Sequence, residues 1–378
     1  MSERIGRTRR EARAGPAERA PRISDVAREA GVSTATVSRA LAAPASVREE
    51  LRRRVLETVE RLGYTPNAAA RNLRGGSSKM ILVVVPRRAN PPFFSEVLRG
   101  IDTVLSASGY SVIMGNLDQE GAKERHVVEM MAAGHIDGAI ILSGKVPVSG
   151  ERSMLDTGLP MVSICAAAEG THAILTDEGE TIVEAARHLV DLGHRDLFYV
   201  SGPEGNANER IRWAALQAFF ADPALGDVRV RRTEGNFQFS GGVTAAEAFL
   251  ALRDRPTGVV CCNDEMAIGF MKTVQASGVR VPEDVSVVGF DGIEFADFCQ
   301  PTLTTVRQPR YELGATGARL ILDLLARPGQ AEPTTTILAN RFCIRDSTAA
   351  PGRQGGKASP ASPAGKDAKA ALPPLTIS

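Results

Sequence analysis

Two sets of residues in this sequence have side chains suited to recognising a partner rather than to breaking bonds. The first is the run Ser33, Thr34, Ala35, Thr36, Val37, Ser38 and Arg39, just after Gly31 and Val32. The Arg39 guanidinium can take a guanine edge through two hydrogen bonds. Thr34 can bond a base edge or touch a thymine methyl, and Ala35 can make apolar contact only. A good bidentate pair discriminates by ~1–3 kcal/mol. Arg39 could instead clamp a phosphate. Ser33, Thr36 and Ser38 suit phosphate contact or helix capping better than base reading. The second set falls just after strand-like runs, apolar except for the RVRRTEG that precedes Phe237: Phe93 and Phe94, Asn206 and Asn208 with Arg212 close behind, Phe237, Asn263 with Asp264, and Asp291. Amide, guanidinium and carboxylate groups bond sugar hydroxyls, and aromatic rings cover a sugar's C–H face. Phe94 could equally be core, and Asn263 and Asp264 could simply cap the next helix.

The elements that must position the first set are short helices. ISDVAREAGVSTATVSRAL reads as helix–turn–helix. Asp25–Ala30 turns Val26 and Ala27 inward, Gly31 makes the turn, Ser33 caps, and Thr34–Leu41 sets Val37 and Leu41 on one face. In such a unit the second helix enters the major groove by its N-terminal end. Pro44 interrupts the chain, and Ser46 is expected to cap a third helix striped by Leu51, Val55, Leu56, Val59 and Leu62, with Gly63 ending it.

From residue 80 the pattern changes. The runs MILVVV (80–85), YSVIMG (110–115), GAIIL (138–142), PMVSI (160–164), DLFYVSG (196–202), TGVVCC (257–262) and DVSVVGF (284–290) alternate with amphipathic helical segments. Near-continuous apolar strands between helices imply parallel sheets covered on both faces. Their number fits two open α/β lobes better than one, with a closed eight-fold barrel as the rival. Ligands in open α/β sheets sit beyond the carboxyl ends of strands, which is where the second residue set lies.

Composition narrows the function. A chain of 378 residues implies two or three domains. Residues 1–79 hold 17 Lys and Arg against 9 Asp and Glu, whereas the remainder holds 28 against 35. A basic front on an acidic body points to a polyanionic partner, or else to a solvated basic tail. The five cysteines are scattered without a CxxC pair, which argues for free thiols in a reducing cytoplasm and against a zinc site. No apolar run reaches the roughly 18 residues of a membrane helix, and the first residues lack a secretory h-region. No phosphate loop, dinucleotide fingerprint, GxSxG or HExxH occurs, so no enzyme, cofactor or metal is expected. His194, in LGHRDL, is expected to be a helix-end cation.

The stretches DVAREAGVSTATVSRAL and VLETVERLGYTPNAAARNLRGG closely resemble the lactose/galactose repressor family of bacterial transcription regulators, and the resemblance covers about residues 22–346. It implies a small all-α helix-turn-helix head on a two-lobed α/β body like that of the periplasmic binding proteins. It implies that Thr34, Ala35 and Arg39 help choose the operator. After Pro66, residues 67–73 make barely two turns, too short to be a stable helix alone. The resemblance implies that this segment folds as a hinge helix paired with a second subunit's in the minor groove. Leu73 would be the wedge, Ala70 the small residue at the pairing, and Asn67 and Arg71 the groove or phosphate contacts. Otherwise residues 67–79 are a linker. In the body, the resemblance makes Arg212, Asn263 and Asp291 polar clamps, Phe93 and Phe237 packing walls, and Asn206 and Asn208 specificity positions. The purine-binding relative has a charged residue where Asn206 stands, a departure that favours a neutral sugar. Asp177 could also face the cleft.

The expected organisation is therefore a disordered basic tail over 1–21, a DNA-binding head over 22–66, a hinge over 67–79, a core over 80–349 and a disordered tail over 350–378. The core divides into an N-lobe (about 80–177 and 309–335) and a C-lobe (about 178–306 and 336–349). The expected partners are a pseudo-palindromic double-stranded operator, a small sugar-like effector and a second copy of the chain, with no membrane. A sugar-binding protein or sugar-processing enzyme carrying an accessory DNA-binding domain is the competing reading.

Overall fold

The computed structural model describes residues 21–64, 77–86, 91–116, 122–327, 329 and 332–352. The head is three helices, α1 (Ile23–Ala30), α2 (Thr34–Ala42) and α3 (Glu49–Leu62). Val26, Ala27, Ala30, Val37, Ala40 and Val55 form its core. Two details depart from expectation. Ser46 does not cap α3: Pro44 opens a tight turn over Pro44–Ser46, and the Ser46 hydroxyl donates back to the Ala43 carbonyl at 2.7 Å. Leu56 is 44% exposed. The helical period instead turns Val55 and Thr58 to the core and carries Leu56 off that face.

The body is two open six-stranded sheets, not a closed barrel. The N-lobe sheet contains β1 (Met80–Val85), β2 (Ser111–Asn116), β3 (Gly138–Ile141), β6 (Met161–Ile164), β7 (His172–Thr176) and β13 (Thr335–Leu338), in the order β13-β7-β6-β3-β1-β2 and all parallel. Between β3 and β6 lies a small hairpin of β4 (Val148–Ser149) and β5 (Arg152–Ser153). Period two explains why β1 is apolar throughout. Ile81, Val83 and Val85 join one core cluster with Val97, Ile101 and Leu313, while Leu82 and Val84 join another with Val127 and Val128. The helices on those two faces are α4 (Pro91–Ala107) with α11 (Arg310–Ala326) on one, and α5 (Ala122–Ala132) on the other.

The C-lobe repeats the plan with β8 (Asp196–Ser201), β9 (Arg229–Glu234), β10 (Gly258–Cys261), β11 (Ser286–Asp291), β12 (Thr304–Arg307) and β14 (Arg341–Cys343), in the order β14-β12-β11-β10-β8-β9. Only β14 runs antiparallel to its neighbour in this sheet. Helices α6 (Glu178–Asp191), α7 (Ala207–Phe220), α8 (Phe239–Leu250), α9 (Asp264–Ala276) and the short α10 (Phe295–Phe298) belong to this lobe. The chain crosses between lobes at 176–178, 307–310 and 338–341. The last crossing lies beyond the expected 335/336 boundary, because Thr335–Leu338 pairs with β7 before the chain leaves the N-lobe.

Candidate functional site

In the head, Gly31 takes φ +62, which closes α1 and lets the chain turn into α2. Ser33 caps α2 by accepting the Thr36 amide at 3.1 Å, and its hydroxyl pairs with that of Thr36 at 2.9 Å. Thr36 is thereby engaged in the cap, while Ser33, Thr34 and Ala35 are exposed at the start of α2, Arg39 is exposed in its last turn and Ser38 is half-buried. Among the described residues the Arg39 Nε donates only within its own helix, at 3.4 Å to the Ala35 carbonyl. Sequence reasoning missed Arg54: from α3 it donates to the Ala30 carbonyl at 2.6 Å and so holds the turn that aims α2. Arg61 of α3 also pairs with Glu29 of α1. The groove candidates Asn67, Ala70, Arg71 and Leu73 lie outside the described residues.

In the body, Phe93, Asn206, Asn208, Arg212, Phe237, Asn263 and Asp291 all line one cavity of about 140 Å³ between the lobes. Pro86, Phe94, Leu142, Ser143, Cys165, Ala166 and Gln308 complete it. Strand ends supply most of this wall, as parallel topology requires. Phe93 is the more buried of the aromatic pair and belongs to the N-lobe core; Phe94 packs edge-on to it at 5.1 Å. Phe237 takes φ +62, and its ring lies where a Cβ on Gly202 would be, 2.3 Å away. Only glycine at 202 leaves room for that ring.

Arg212 is held from three directions. Its Nε donates to Glu178 at 2.5 Å, its Nη1 donates to the Cys262 carbonyl, and its guanidinium lies 3.7 Å over the Phe290 ring. Burial disfavours the charge, but Glu178 and Asp291 outweigh it and keep the pKa well above the arginine value. Among the described residues Arg212 Nη2 has no hydrogen-bond partner, and Arg212 lines the cavity. Asp291 has φ +118, a backbone region a side chain rarely adopts, and accepts from Gln308 at 2.9 Å through Oδ1. Burial pushes its pKa well above the usual carboxylate range, although Arg212 opposes the shift.

The amides divide their duties. Asn206 caps α7 by accepting the Glu209 amide at 3.0 Å. Asn208 reaches across the cleft and donates to the Cys165 carbonyl at 3.0 Å. Asn263 caps α9 through Met266 and donates to the Phe237 carbonyl at 2.9 Å, so it both starts a helix and holds the aromatic wall. Asp264 faces away from the cavity; it binds the Ile293 amide at 2.8 Å and the Thr305 hydroxyl at 2.5 Å beneath the Asp291 turn, and burial raises its pKa to about 7. Asp177 caps α6 through the Glu180 amide. His194 is not a helix-end cation: Nε2 meets the Ala349 carbonyl at 3.0 Å and Nδ1 meets Thr257 at 2.8 Å, which one neutral tautomer satisfies, and burial lowers its pKa.

Glu178 and Gln308 were missed, although both follow strand ends, the signal that found the others. Gln308 sits at a lobe crossing and bonds Thr176 of another crossing at 3.2 Å. A larger groove of about 660 Å³ runs beside the start of α11, lined by Arg307 and Arg341 but also by Glu96, Glu294 and Asp297. Acidic and basic side chains share its wall, and none of the residues lining the smaller cavity except Gln308 borders it. Among the described residues no helix is long and apolar enough to cross a membrane, and no cluster of three His, Cys, Asp or Glu could hold a metal.

Residues 22–67 match the family model of bacterial regulatory proteins, lacI family, and residues 186–348 match a periplasmic binding protein-like domain. The chain is 33% identical over 330 residues to catabolite control protein A of Priestia megaterium, covering 86% of this chain and 98% of that protein. It superposes on the lac repressor dimer bound to operator and an anti-inducer with TM-score 0.73 and 26% identity, over 88% of this chain and 100% of that one. It also superposes on a LacI family transcriptional regulator from Enterococcus faecium with bound ribose, with TM-score 0.63 and 30% identity, over 72% and 99%.

Proposed function

The chain belongs to the lacI family of bacterial regulatory proteins, and we propose that its operator affinity is set by a small uncharged polyol, a sugar or sugar derivative, held between the lobes. The protein is a DNA-binding transcription regulator of the repressor type. The observation that carries the ligand class is the cavity wall: Asp291, the spare Arg212 Nη2 and the amides of Asn206 and Asn208 converge on a space of about 140 Å³ flanked by Phe93 and Phe237. That volume is the scale of a monosaccharide. Glu178 already pairs with Arg212, so the wall offers no spare cation for a phosphate, while the Asp291 side chain would repel one once ionised. A neighbouring family member holds ribose.

Two copies reading a pseudo-palindromic operator follow from two-fold symmetry. Each would present Thr34, Ala35 and Arg39 to base edges in the major groove, and residues 67–73 to the minor groove between the half-sites. The C-lobe carries an exposed aromatic patch suited to the second copy, with Phe295 54% and Phe298 78% exposed and Phe239 edge-on to Phe295 at 6.3 Å. We place the protein in the cytoplasm and assign it no catalysis. The test is a thermal-shift screen of D-ribose, D-glucose, D-galactose, their phosphates and cellobiose, followed by operator binding with each hit. A neutral monosaccharide should raise Tm and change operator affinity. A response to the phosphates alone would refute the ligand class, and turnover of any sugar would refute the non-enzymatic reading.

A further inference from the structure

Glu209 does not border the cavity, yet it is a carboxylate only 2% exposed, in the first turn of α7. Its two oxygens gather donors from three adjacent strands. Oε2 accepts the Tyr199 hydroxyl at 2.9 Å from β8, the Gly202 amide at 2.8 Å just after β8, and the Cys262 thiol at 2.9 Å just after β10. Oε1 accepts Arg232 of β9 at 3.2 Å. The same residue's backbone amide is the one Asn206 caps. Cys262 is held by both neighbours: its thiol donates to Glu209 and accepts from Arg212 Nη1 at 3.3 Å, and its carbonyl accepts from Arg212.

A buried carboxylate is costly to keep, and a fully bonded one selects a single arrangement of its donors. The arrangement selected here is the turn between β8 and α7, together with the end of β10. Those segments present Asn206, Asn208, Arg212 and Asn263 to the cleft. A helix start needs no such network, since Asn206 already supplies the cap.

We propose that Glu209 is a positioning residue for effector recognition: without touching the ligand, it sets the spacing of the amide and guanidinium groups that select it. This rests on the sugar reading of the cleft, and the chain supplies its own reporter. Trp213, its only tryptophan, stacks on Tyr199 at 5.4 Å with the rings 8° apart, and Arg232 lies 4.8 Å over the indole. Both residues donate to Glu209, so a shift of this network alters the environment of the indole.

The test compares wild type, Glu209→Gln, Arg232→Gln, and the two substitutions combined. A glutamine at 209 must keep its oxygen toward the three donors on the Oε2 side, which turns its NH₂ against Arg232. An amide oxygen at 232 can accept from that NH₂ and relieve the conflict. Trp213 fluorescence is measured without ligand and during titration with D-ribose, D-glucose and cellobiose, alongside Tm. Glu209→Gln should weaken the best sugar at least tenfold and shift the ligand-free indole emission while the protein stays folded at the assay temperature. The second substitution should restore most of the affinity, and because it also removes the cation over the indole, the emission of the double variant is compared with that of Arg232→Gln alone. Unchanged affinity and emission would overturn the proposal, as would losses that only track unfolding and are not rescued by Arg232→Gln. If wild type binds none of the sugars, the ligand class falls, and Glu209 is decided by the ligand-free emission alone. A shift that Glu209→Gln causes in the wild-type background but not in the Arg232→Gln background supports positioning, and an unshifted Glu209→Gln spectrum refutes it.

Discussion

Replacing Glu178 by Gln and Arg212 by Met, singly and together, tests the electrostatic centre of the cleft. The two side chains are 5% and 4% exposed, with 2.5 Å between Arg212 Nε and Glu178 Oε2. At an effective dielectric of 20 the gross attraction at that distance is about 6–7 kcal/mol. Most of it offsets the cost of taking both charges out of water, so the pair adds little net stability, but losing one partner strands the other at about 3–5 kcal/mol. Arg212→Met also frees the buried Cys262 carbonyl, which costs a further ~1–3 kcal/mol. Each single substitution should therefore lower unfolding free energy by about 3 kcal/mol or more. The double variant should fall short of the sum by about 3 kcal/mol, because no charge is left unpaired. Urea unfolding followed by far-ultraviolet circular dichroism and by Trp213 fluorescence measures this, and coincident curves for the two signals justify two-state treatment. Additivity within about 0.5 kcal/mol would refute the buried pair. Sugar binding should be lost in all three variants, since each removes a cavity clamp or its support.

Gly202→Val puts a side chain where the Phe237 ring now lies, 2.3 Å from the first added carbon. It should weaken sugar binding at least tenfold by calorimetry, and an unaffected affinity would show that the ring does not form the wall. The raised Asp291 pKa has a sign that can be checked: the carboxyl must lose its proton to accept from two hydroxyls, so affinity should strengthen as pH rises through that pKa. A pH dependence of affinity that Asp291→Asn left unchanged would remove Asp291 from ligand contact. Arg39→Ala should relax preference at one base pair of each half-site by ~1–3 kcal/mol in a competition assay over operator variants. A uniform loss across all variants would make Arg39 a phosphate contact instead.

The sequence reveals the fold wherever one local rule acts alone. Runs such as MILVVV mark strands because both faces of a parallel sheet are buried, and Gly31 followed by Ser33 marks a helix end and a helix start. Cavity residues are legible for a topological reason, since parallel strands deliver their ends to one edge. Besides the two-residue strands β4 and β5, Thr304–Arg307, Thr335–Leu338 and Arg341–Cys343 carry no such signal: they are short, and the last two have half-buried or exposed side chains, so no apolar run announces them. Ser46 misleads because a capping residue type and a preceding proline also suit a tight turn. Partnerships are less legible than positions. Asn263 looks like a clamp, but its bonds to Met266 and Phe237 make it a support as well. Glu178 finds Arg212 only because β7 passes the chain to the other lobe, and no spacing in the sequence encodes a contact across 34 positions.

How a ligand in this cleft could change operator binding is bounded by the bonds that cross it. Effector coupling typically needs ~1–3 kcal/mol of differential affinity between two states, and one protein hydrogen bond contributes about 0.5–1.5 kcal/mol net. The Asn208 amide donates across the cleft to the Cys165 carbonyl at 3.0 Å. Gln308, on a crossing segment, links Asp291 at 2.9 Å to Thr176 at 3.2 Å. Arg310, at the start of α11, holds the Gly292 carbonyl of the C-lobe at 2.9 Å and the Pro92 carbonyl of the N-lobe at 2.7 Å. A hydroxyl that takes Asn208 from Cys165, or draws Asp291 from Gln308, exchanges one or two of these bonds and so falls within the required range. Because Gly292 adjoins Asp291, a ligand that moves the Asp291 turn also moves the carbonyl Arg310 grips, and the movement reaches α11 and the N-lobe sheet. The coupling therefore needs no large rearrangement of either core. It needs only that the two lobe arrangements differ in which of these few donors the ligand can claim.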